Sequence, residues 1–491
     1  MELTCTVDSF NDWLAKVRTS AAGQRCQSFQ QEGAAFLLSR TSGFLADEMG
    51  LGKTFEVGCA LAVGRVIPSL VLCPANLRFH WRRVLEEIAG ELVVSCPDKS
   101  SDITNADVSI VPYSRVGAWY RELRAVGFEC LVCDEAQHLR NEGARCVQRR
   151  KQIRLTLALG SARNIHRSEI VLSLAEDIKR RWAVTGTPML SRPKDLFNIL
   201  ALIKHPLAED WWRYAERFCA GVRTIHGIQA SGASSQDELA RLLDGYMLRR
   251  RKHEVVHLPE PKKLWLKVPL RGSDRETYRQ AWSRYLEEVR STRSRFQRRR
   301  MVGAKGLTRL TLLRMLASRC KVPAVIDHAV GSGRRFVLFS NFDESLDLCA
   351  DRLTSLGVSF VRYDGRLSEQ RKHEAWRAFQ EQLAAQAFLG NSVCAKEGLT
   401  LTAADTVYFL DPCWTPGEHE QAWHRVLRIG QTQDVQIYFS VTLGTVEEGH
   451  YKLLGEKSRV LADFERGVSP YLAAAADGSV EEDLATILAS I

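Results

Sequence analysis

Two short stretches of this chain carry residue types suited to chemistry on a phosphate chain. In GFLADEMGLGKT, Gly43 to Thr54, the ending Gly52-Lys53-Thr54 fits the phosphate-loop pattern G-x-x-x-x-G-K-[ST]. In such a loop, backbone N–H groups and a helix N-terminus face the anion. Lys53 would reach the β- and γ-phosphates, and Thr54 would put its hydroxyl on Mg2+. The first glycine of the pattern is missing, and Asp47 stands in its place. From the loop alone, a nucleotide site and a glycine-containing turn ending in Lys-Thr both stay open. The second stretch, LVCDEAQHLRN, places Asp134 and Glu135 directly after an apolar run. Nucleotide-bound Mg2+ keeps several waters and needs one well-placed carboxylate, which Asp134 offers. Hydrolysis needs a group to orient and deprotonate water, which Glu135 offers. Adjacent residues on an extended strand end point to opposite sides, so one is expected to hold metal while the other faces water.

The elements that must position these groups are legible as short apolar runs. GFLADE, SLVLCPA and ECLVCDEA each read as a buried strand followed by a loop. TFEVGCALAVGRVI and NLRFHWRRVLEEIAG between them read as helices. Strand, loop and helix in repetition predict a parallel sheet covered by helices on both faces, with ligands at the carboxyl ends of the strands. AVTGTP supplies a further strand end with the small residues Thr185, Gly186 and Thr187, through which backbone and hydroxyls can approach a nucleotide; alone it is a turn signal. A similar plan restarts near Arg334 with RRFVLFSNF, VSFVRYDG, QAFLGNS, TVYFLDP and VQIYFSV as strands. The fold class expected is therefore α/β, two parallel-sheet lobes with a helical segment between them.

Between the lobes, tryptophans and charged helical stretches replace the strands. No acidic residue occurs from Arg290 to Ile326, and RSTRSRFQRRR concentrates arginines that include Arg298 and Arg299. A solvated basic helix face and a phosphate-contacting protrusion are both open readings. The expected divisions are an N-terminal extension over 1–24, lobe 1 over 25–260 with an insertion about 144–179, a basic helical linker over 261–325, lobe 2 over 326–466 and a tail over 467–491.

The bulk numbers set the class. The chain has 491 residues, 45% of them hydrophobic, with a formal net charge of +10 and a pI near 9.0. That length supports two or three cored domains, and the basic surplus suits a polyanionic partner. The 13 cysteines lack metal-ligand spacing. Cys130 and Cys133 read as part of a core strand, and no zinc is expected. No secretory leader and no membrane-length apolar run is read, so the expected place is the cytoplasm at the nucleoid, or the nucleus of a eukaryote.

Taken together, LADEMGLGKT, DEAQHLRN, TGTP, GLTLTAADTVYFLDPCWTP and QAWHRVLRIGQT resemble the Swi/Snf-type branch of the superfamily-2 helicase-like ATPases. That branch characteristically has Asp at the first glycine position of the phosphate loop. The resemblance runs from about residue 25 to 455, and GTPMLSRPKDLF and ASRCKVPAVIDH lean toward its annealing-helicase subgroup. It implies two RecA-like lobes of the P-loop NTPase kind, using ATP and Mg2+. Nucleotide contacts fall on the loop residues Asp47, Glu48, Met49, Gly50, Leu51, Gly52, Lys53 and Thr54, and on Gln30 in SFQQEGAAFLL on the adenine side. Gln421, Arg425 and Arg428 match the family's catalytic residues, the arginines reaching the nucleotide held by lobe 1. Three residues apart, these arginines are expected to share a helix face. Gln137 stands where the family usually has His, in the coupling set with Thr185, Gly186 and Thr187. The stretch SVCAKEGLTLT is shorter and less glycine-rich than the family's.

The function implied is an ATP-driven translocase or remodeller on double-stranded DNA, with little sequence specificity and a protein partner for targeting. Candidate nucleic-acid contacts are Pro74, Ser114, Ser340, Gly398 and Thr400, with Arg298 and Arg299. The alternatives are a strand-separating or RNA-dependent helicase, and an ATP-switch subunit that recruits or licenses a nuclease or another partner.

Overall fold

The computed structural model describes residues 7–103, 106–140, 153–154, 156–157, 165–186, 188, 193–224, 227–230, 232, 234–256, 258, 260–291, 295–392 and 399–455. The chain divides into two compact units whose described parts meet in sequence at 256/258.

Among the described residues, unit 1 holds nine strands: β1 (Ser42–Leu45), β2 (Ser69–Cys73), β3 (Val94–Ser95), β4 (Val108–Pro112), β5 (Cys130–Asp134), β6 (Arg180–Val184), β7 (Val222–Thr224), β8 (Gly227–Gln229) and β9 (Met247–Leu248). Seven of them form one parallel sheet in the order β3-β4-β2-β5-β6-β1-β9, and β7 and β8 pair as a separate hairpin. The central strands are buried along their length, which is why they read as apolar runs without alternation. Alternate residues feed two cores. Phe44, Leu70, Leu72, Leu131 and Cys133 face one, and Leu45, Val71, Cys73, Cys130 and Val132 face the other. Cys130 and Cys133 thus lie on opposite faces of the sheet and cannot share an ion.

Two expected boundaries shift here. The N-terminal segment is not an appendage: Val17 of the helix Val7–Thr19 is fully buried in the second core, with Phe10 and Trp13 against it. The stretch expected as an insertion ends in the helix Arg167–Ala175, whose Ile170, Val171, Leu172 and Leu174 belong to the first core. That helix is the crossover between β5 and β6. The rest of that stretch before it, apart from 153–154, 156–157 and 165–166, lies outside the described residues.

Unit 2 holds β10 (Lys262–Pro269), β11 (Phe336–Ser340), β12 (Phe360–Tyr363), β13 (Ala387–Asn391), β14 (Thr406–Phe409) and β15 (Gln436–Leu443) in one parallel sheet, ordered β10-β15-β14-β11-β13-β12. Val337 and Phe339 face one core, Phe336 and Leu338 the other. The segment expected as a helical linker opens instead with β10, paired in parallel with β15 over eight residues. Its helices are Gly272–Ser291 and Arg295–Gly331, and the second ends against the sheet through Val322, Val325, Ile326 and Ala329. Arg298 and Arg299 lie in its first turns, but their side chains fall outside the described residues, as does the tail. Among the described residues, no helix is long and apolar enough to cross a membrane.

Candidate active site

Strand register assembles the first site. Asp134 of β5 pairs with Val184 of β6, Val184 with Leu45 of β1, and Leu45 with Leu248 of β9. Four parallel strands therefore end in one row. The phosphate loop, the Thr185-Gly186 turn and the acidic pair all start at or just past that row. Strands spaced about 4.8 Å apart put β1 and β5 roughly 10 Å from each other, with only β6 between.

The loop closes in two left-handed positions, Gly50 (φ 88°) and Gly52 (φ 85°). Gly52 then caps the helix Lys53–Gly64, whose N-terminus carries partial positive charge. A side chain at 52 would also collide, since a Cβ there would sit 2.5 Å from Gln30 Nε2. Gln30 bonds the loop rather than facing outward: its Nε2 donates to Leu51 O at 2.8 Å and its Oε1 accepts from Gln27 N at 3.0 Å. Lys53 Nζ donates to Asp47 O at 2.7 Å and to Glu48 O at 3.3 Å, so the ammonium sits inside the curve of the loop. Burial lowers its pKa, and Glu135, Asp47, Glu56 and Asp134 pull it back up. Gly186 is bare for a steric reason. A Cβ on it would meet Met49 Cγ at 2.3 Å and Lys53 Nζ at 3.1 Å.

Asp134 is buried, and burial together with the neighbouring Glu135 pushes its carboxyl up to about 7. Three donors hold this residue. Trp81 Nε1 reaches Oδ2 at 2.7 Å, the Glu135 N–H reaches Oδ1 at 2.9 Å, and Tyr113 Oη donates to its carbonyl at 2.7 Å. Glu135 leaves the strand in the left-handed region (φ 47°). The expectation of two alternating side chains on an extended end is thus corrected. The turn at Glu135, and not the pleat, separates the two carboxylates. Gln137 Nε2 donates to Glu135 Oε2 at 2.6 Å, and Thr185 Oγ1 donates to Gln137 Oε1. Gln137 and Thr185, two of the residues expected to couple, therefore form one hydrogen-bonded chain from Glu135 to the β6 turn. Thr187 lies outside the described residues. Thr54 stands on the first turn of the loop helix.

The Asp47 side chain is taken up by Arg250. It is fully buried and receives Arg250, whose backbone N–H reaches Oδ1 at 2.9 Å and whose Nε reaches Oδ2 at 3.0 Å. Arg250 Nη2 also bonds Asp47 Oδ2 and reaches Glu56 Oε2 at 2.7 Å. Glu48 joins the same segment, its N–H donating to Arg250 O at 3.0 Å and its carboxylate accepting Lys252 N at 2.8 Å. Arg250, Glu56 and Trp81 are not singled out by sequence, and Tyr113, in the PYS stretch expected to meet nucleic acid, bonds Asp134 O instead. A buried acid in the loop demands a cation, and RRRK at 249–252 was the available signal.

In unit 2 the expected helix face for the arginines is corrected. The helix Pro416–Trp423 carries Gln421 and stops two residues before Arg425. Successive tight turns follow: Arg425 N donates to Ala422 O at 3.1 Å and Gln431 N to Arg428 O at 2.9 Å. Arg425 is buried, with its carbonyl accepting Leu401 N at 2.8 Å. Arg428 Nη1 donates to Thr400 Oγ1 at 3.0 Å. Gln431 Nε2 ties these turns to Ala404 O at 2.8 Å. The two arginines are thus fastened to the 399–404 loop.

The nucleic-acid candidates divide. Ser114 is exposed at the end of β4, whereas Pro74, just past β2, is buried, which corrects its expected role as a phosphate contact. Ser340 is buried, its hydroxyl within 3.1 Å and 3.2 Å of the Asp411 carboxylate, so it is turned inward rather than toward a phosphate. Gly398 lies outside the described residues.

A parallel sheet with this loop and acidic pair at its carboxyl edge, followed by a second parallel sheet, defines a P-loop ATPase core of the helicase-like class. The SNF2-related domain matches residues 29–157 and 162–322, and the helicase conserved C-terminal domain matches 320–430. The chain belongs to the SNF2-related family. It is 28% identical over 455 residues to the SWI/SNF-related matrix-associated actin-dependent regulator of chromatin subfamily A-like protein 1 of Xenopus tropicalis, covering 90% of this chain and 45% of that protein. It is 26% identical over 458 residues to the human DNA annealing helicase and endonuclease ZRANB3, covering 88% and 40%. An uncharacterized ATP-dependent helicase of Mycoplasma pneumoniae is 24% identical over 471 residues, covering 89% and 42%. The chain spans less than half the length of these relatives.

Proposed function

We propose that this chain is an ATP-dependent translocase or remodeller on double-stranded DNA. The observation that carries this reading is the common row at Asp134, Val184, Leu45 and Leu248, which brings loop, turn and acidic pair to one edge in a member of the SNF2-related family. The residues fit Mg2+-bound ATP. Left-handed glycines shape the loop, Gly186 leaves its inner side clear, and the buried Asp134 carboxylate stands near the lysine.

In this reading Lys53 and the N-terminus of its helix bind the phosphates, while Thr54 and Asp134 would hold Mg2+, which would supply charge neutralisation on the phosphate chain. Lys53 leaves the Asp47 and Glu48 carbonyls when phosphate takes their place. Glu135 orients water and accepts its proton, held at a set angle by Gln137. Gln137 and Thr185 pass the state of that carboxylate to the β6 turn. Arg425 and Arg428 are the candidates for the positive charge that phosphoryl transfer requires, an effect worth roughly a thousandfold or more in rate, with Gln421 as a neutral hydrogen-bonding group on the preceding helix. Alternating grip on DNA then follows the nucleotide cycle. The human relative's name, a DNA annealing helicase, supports DNA as the polymer. Contacts to backbone phosphates, from Ser114, Thr400, Arg298 and Arg299, give little sequence preference. A protein partner supplies targeting, and the site of action is wherever the cell keeps its DNA.

The test is steady-state ATPase with duplex DNA, single-stranded DNA and RNA as separate activators. Duplex DNA is expected to stimulate most. Stimulation by RNA and not by duplex DNA overturns the reading in favour of an RNA-dependent helicase.

A further inference from the structure

We propose that Arg250 is the positioning residue of the phosphate loop, and that Asp47 replaces the usual glycine in order to receive it. This rests on the nucleotide-site reading above and adds to it a residue far away in sequence.

One guanidinium joins the three pieces of chain that build the site. Nε and Nη2 hold Asp47 in the loop. Nη2 also holds Glu56, one turn into the helix that leaves the loop, at 2.7 Å. Nη1 donates to Phe29 O, on the helix that carries Gln30. The planar fork of arginine suits this geometry, whereas an ammonium presents a single point charge. Asp47 and Glu56 are both fully buried, so their carboxylates have exchanged water for this partner.

A second observation is independent of those bonds. Gly33 faces the same spot, and a Cβ there would lie 1.6 Å from Glu56 Oε2 and 3.0 Å from Arg250 Nη2. The helix Ser28–Leu38 is thus built without a side chain where the network sits. The backbone around Arg250 extends the fastening. Ala46 N donates to Leu248 O at 2.7 Å, Glu48 N to Arg250 O at 3.0 Å, and Lys252 N to Glu48 Oε2 at 2.8 Å. Loop residues 46–48 are therefore laced to 248–252 on both sides of the guanidinium. In a loop with glycine at 47, backbone alone would set the curve. Here a side chain sets it, from the segment by which the chain leaves unit 1.

The experiment uses the full chain and two variants. Arg250→Lys keeps the charge and loses the fork. The triple variant Arg250→Met, Asp47→Asn, Glu56→Gln removes all three buried groups of the network together and leaves only Glu32, 3.6 Å from Nη1 and half-exposed, to solvent. Cooperative thermal unfolding checks that each folds. The KM for ATP and kcat are then measured with saturating Mg2+ and duplex DNA. Both folded variants are expected to show KM raised about tenfold or more, the usual scale for losing a partner that orients a contacting group. The triple variant recovers unfolding temperature but not KM, which a purely structural role would not produce. KM within twofold of the unsubstituted chain in either folded variant overturns the proposal. Should Arg250→Lys fail to fold, the charge-neutral triple variant decides alone. Absence of ATP turnover in the unsubstituted chain would instead count against the nucleotide-site reading itself.

Discussion

Trp81→Phe isolates one hydrogen bond at Asp134, the carboxylate proposed to hold Mg2+. Trp81 is fully buried, and its indole N–H meets Asp134 Oδ2 at 2.7 Å. Phenylalanine keeps an aromatic ring there and removes the donor. A hydrogen bond to a charged group contributes about 1.5–3 kcal/mol, and about 1.4 kcal/mol corresponds to one pKa unit, so the Asp134 pKa should rise by roughly 1–2 units. It already stands at about 7, raised by burial and Glu135 and lowered by Trp81, the Glu135 N–H and Lys53. Metal binding needs the carboxylate form. At pH 7.5 the variant would then be ionised in roughly a quarter of molecules down to a few per cent, against about three quarters of the unsubstituted chain, and half-saturating Mg2+ should rise by about threefold to 25-fold. The assay is ATPase rate against free Mg2+ at pH values from 6 to 9, beside an unfolding curve showing that the variant folds. The acid limb of the profile should move to higher pH, and the difference from the unsubstituted chain should shrink at the alkaline end, where both are ionised. Stability of the metal-free chain has the opposite sign. A carboxyl raised above its unfolded value of 3.8 favours the folded state when protonated, a contribution full below that value and lost as pH rises through about 7. An unchanged Mg2+ requirement and acid limb in a folded Trp81→Phe chain would refute this account of Asp134.

Three further outcomes follow from named contacts. Lys53→Ala should abolish turnover and weaken ATP binding measured by calorimetry, since it removes the ammonium inside the loop; normal turnover would remove the phosphate-loop assignment. Glu135→Gln should bind ATP normally and stall hydrolysis, and a normal single-turnover rate would place the base elsewhere. Lys321→Met should destabilise the chain by about 3–5 kcal/mol, because Glu447 loses both 2.6 Å bonds to a fully buried ammonium. Urea denaturation reads this directly, and adding Glu447→Gln should restore much of the loss; equal stability of the single variant would contradict it.

The central strands of both sheets were legible because a strand buried on both faces is a continuous apolar run, as in SLVLC and FVLFS. β10 was not, because an edge strand can carry Lys262, Lys263 and Lys267 among its residues, and KKLWLKVP then looks like linker. That the loop and the acidic pair both follow buried strands was legible from the apolar runs before them, although the loop alone left a plain turn open. The reason for Asp47 was not, since its partner Arg250 lies 203 residues further on and only folding brings the two together. Glu135 and Arg425 show a different limit. Spacing places residues on a strand or helix only as far as that element runs, and the strand ends at Asp134 and the helix at Trp423.

ATP-driven movement on duplex DNA is the central claim, and displacement of a third strand from a DNA triplex measures it most directly. The account predicts displacement that requires ATP and is lost in Glu135→Gln. Duplex-stimulated hydrolysis without displacement would contradict translocation, and would leave an ATP switch that acts through a partner.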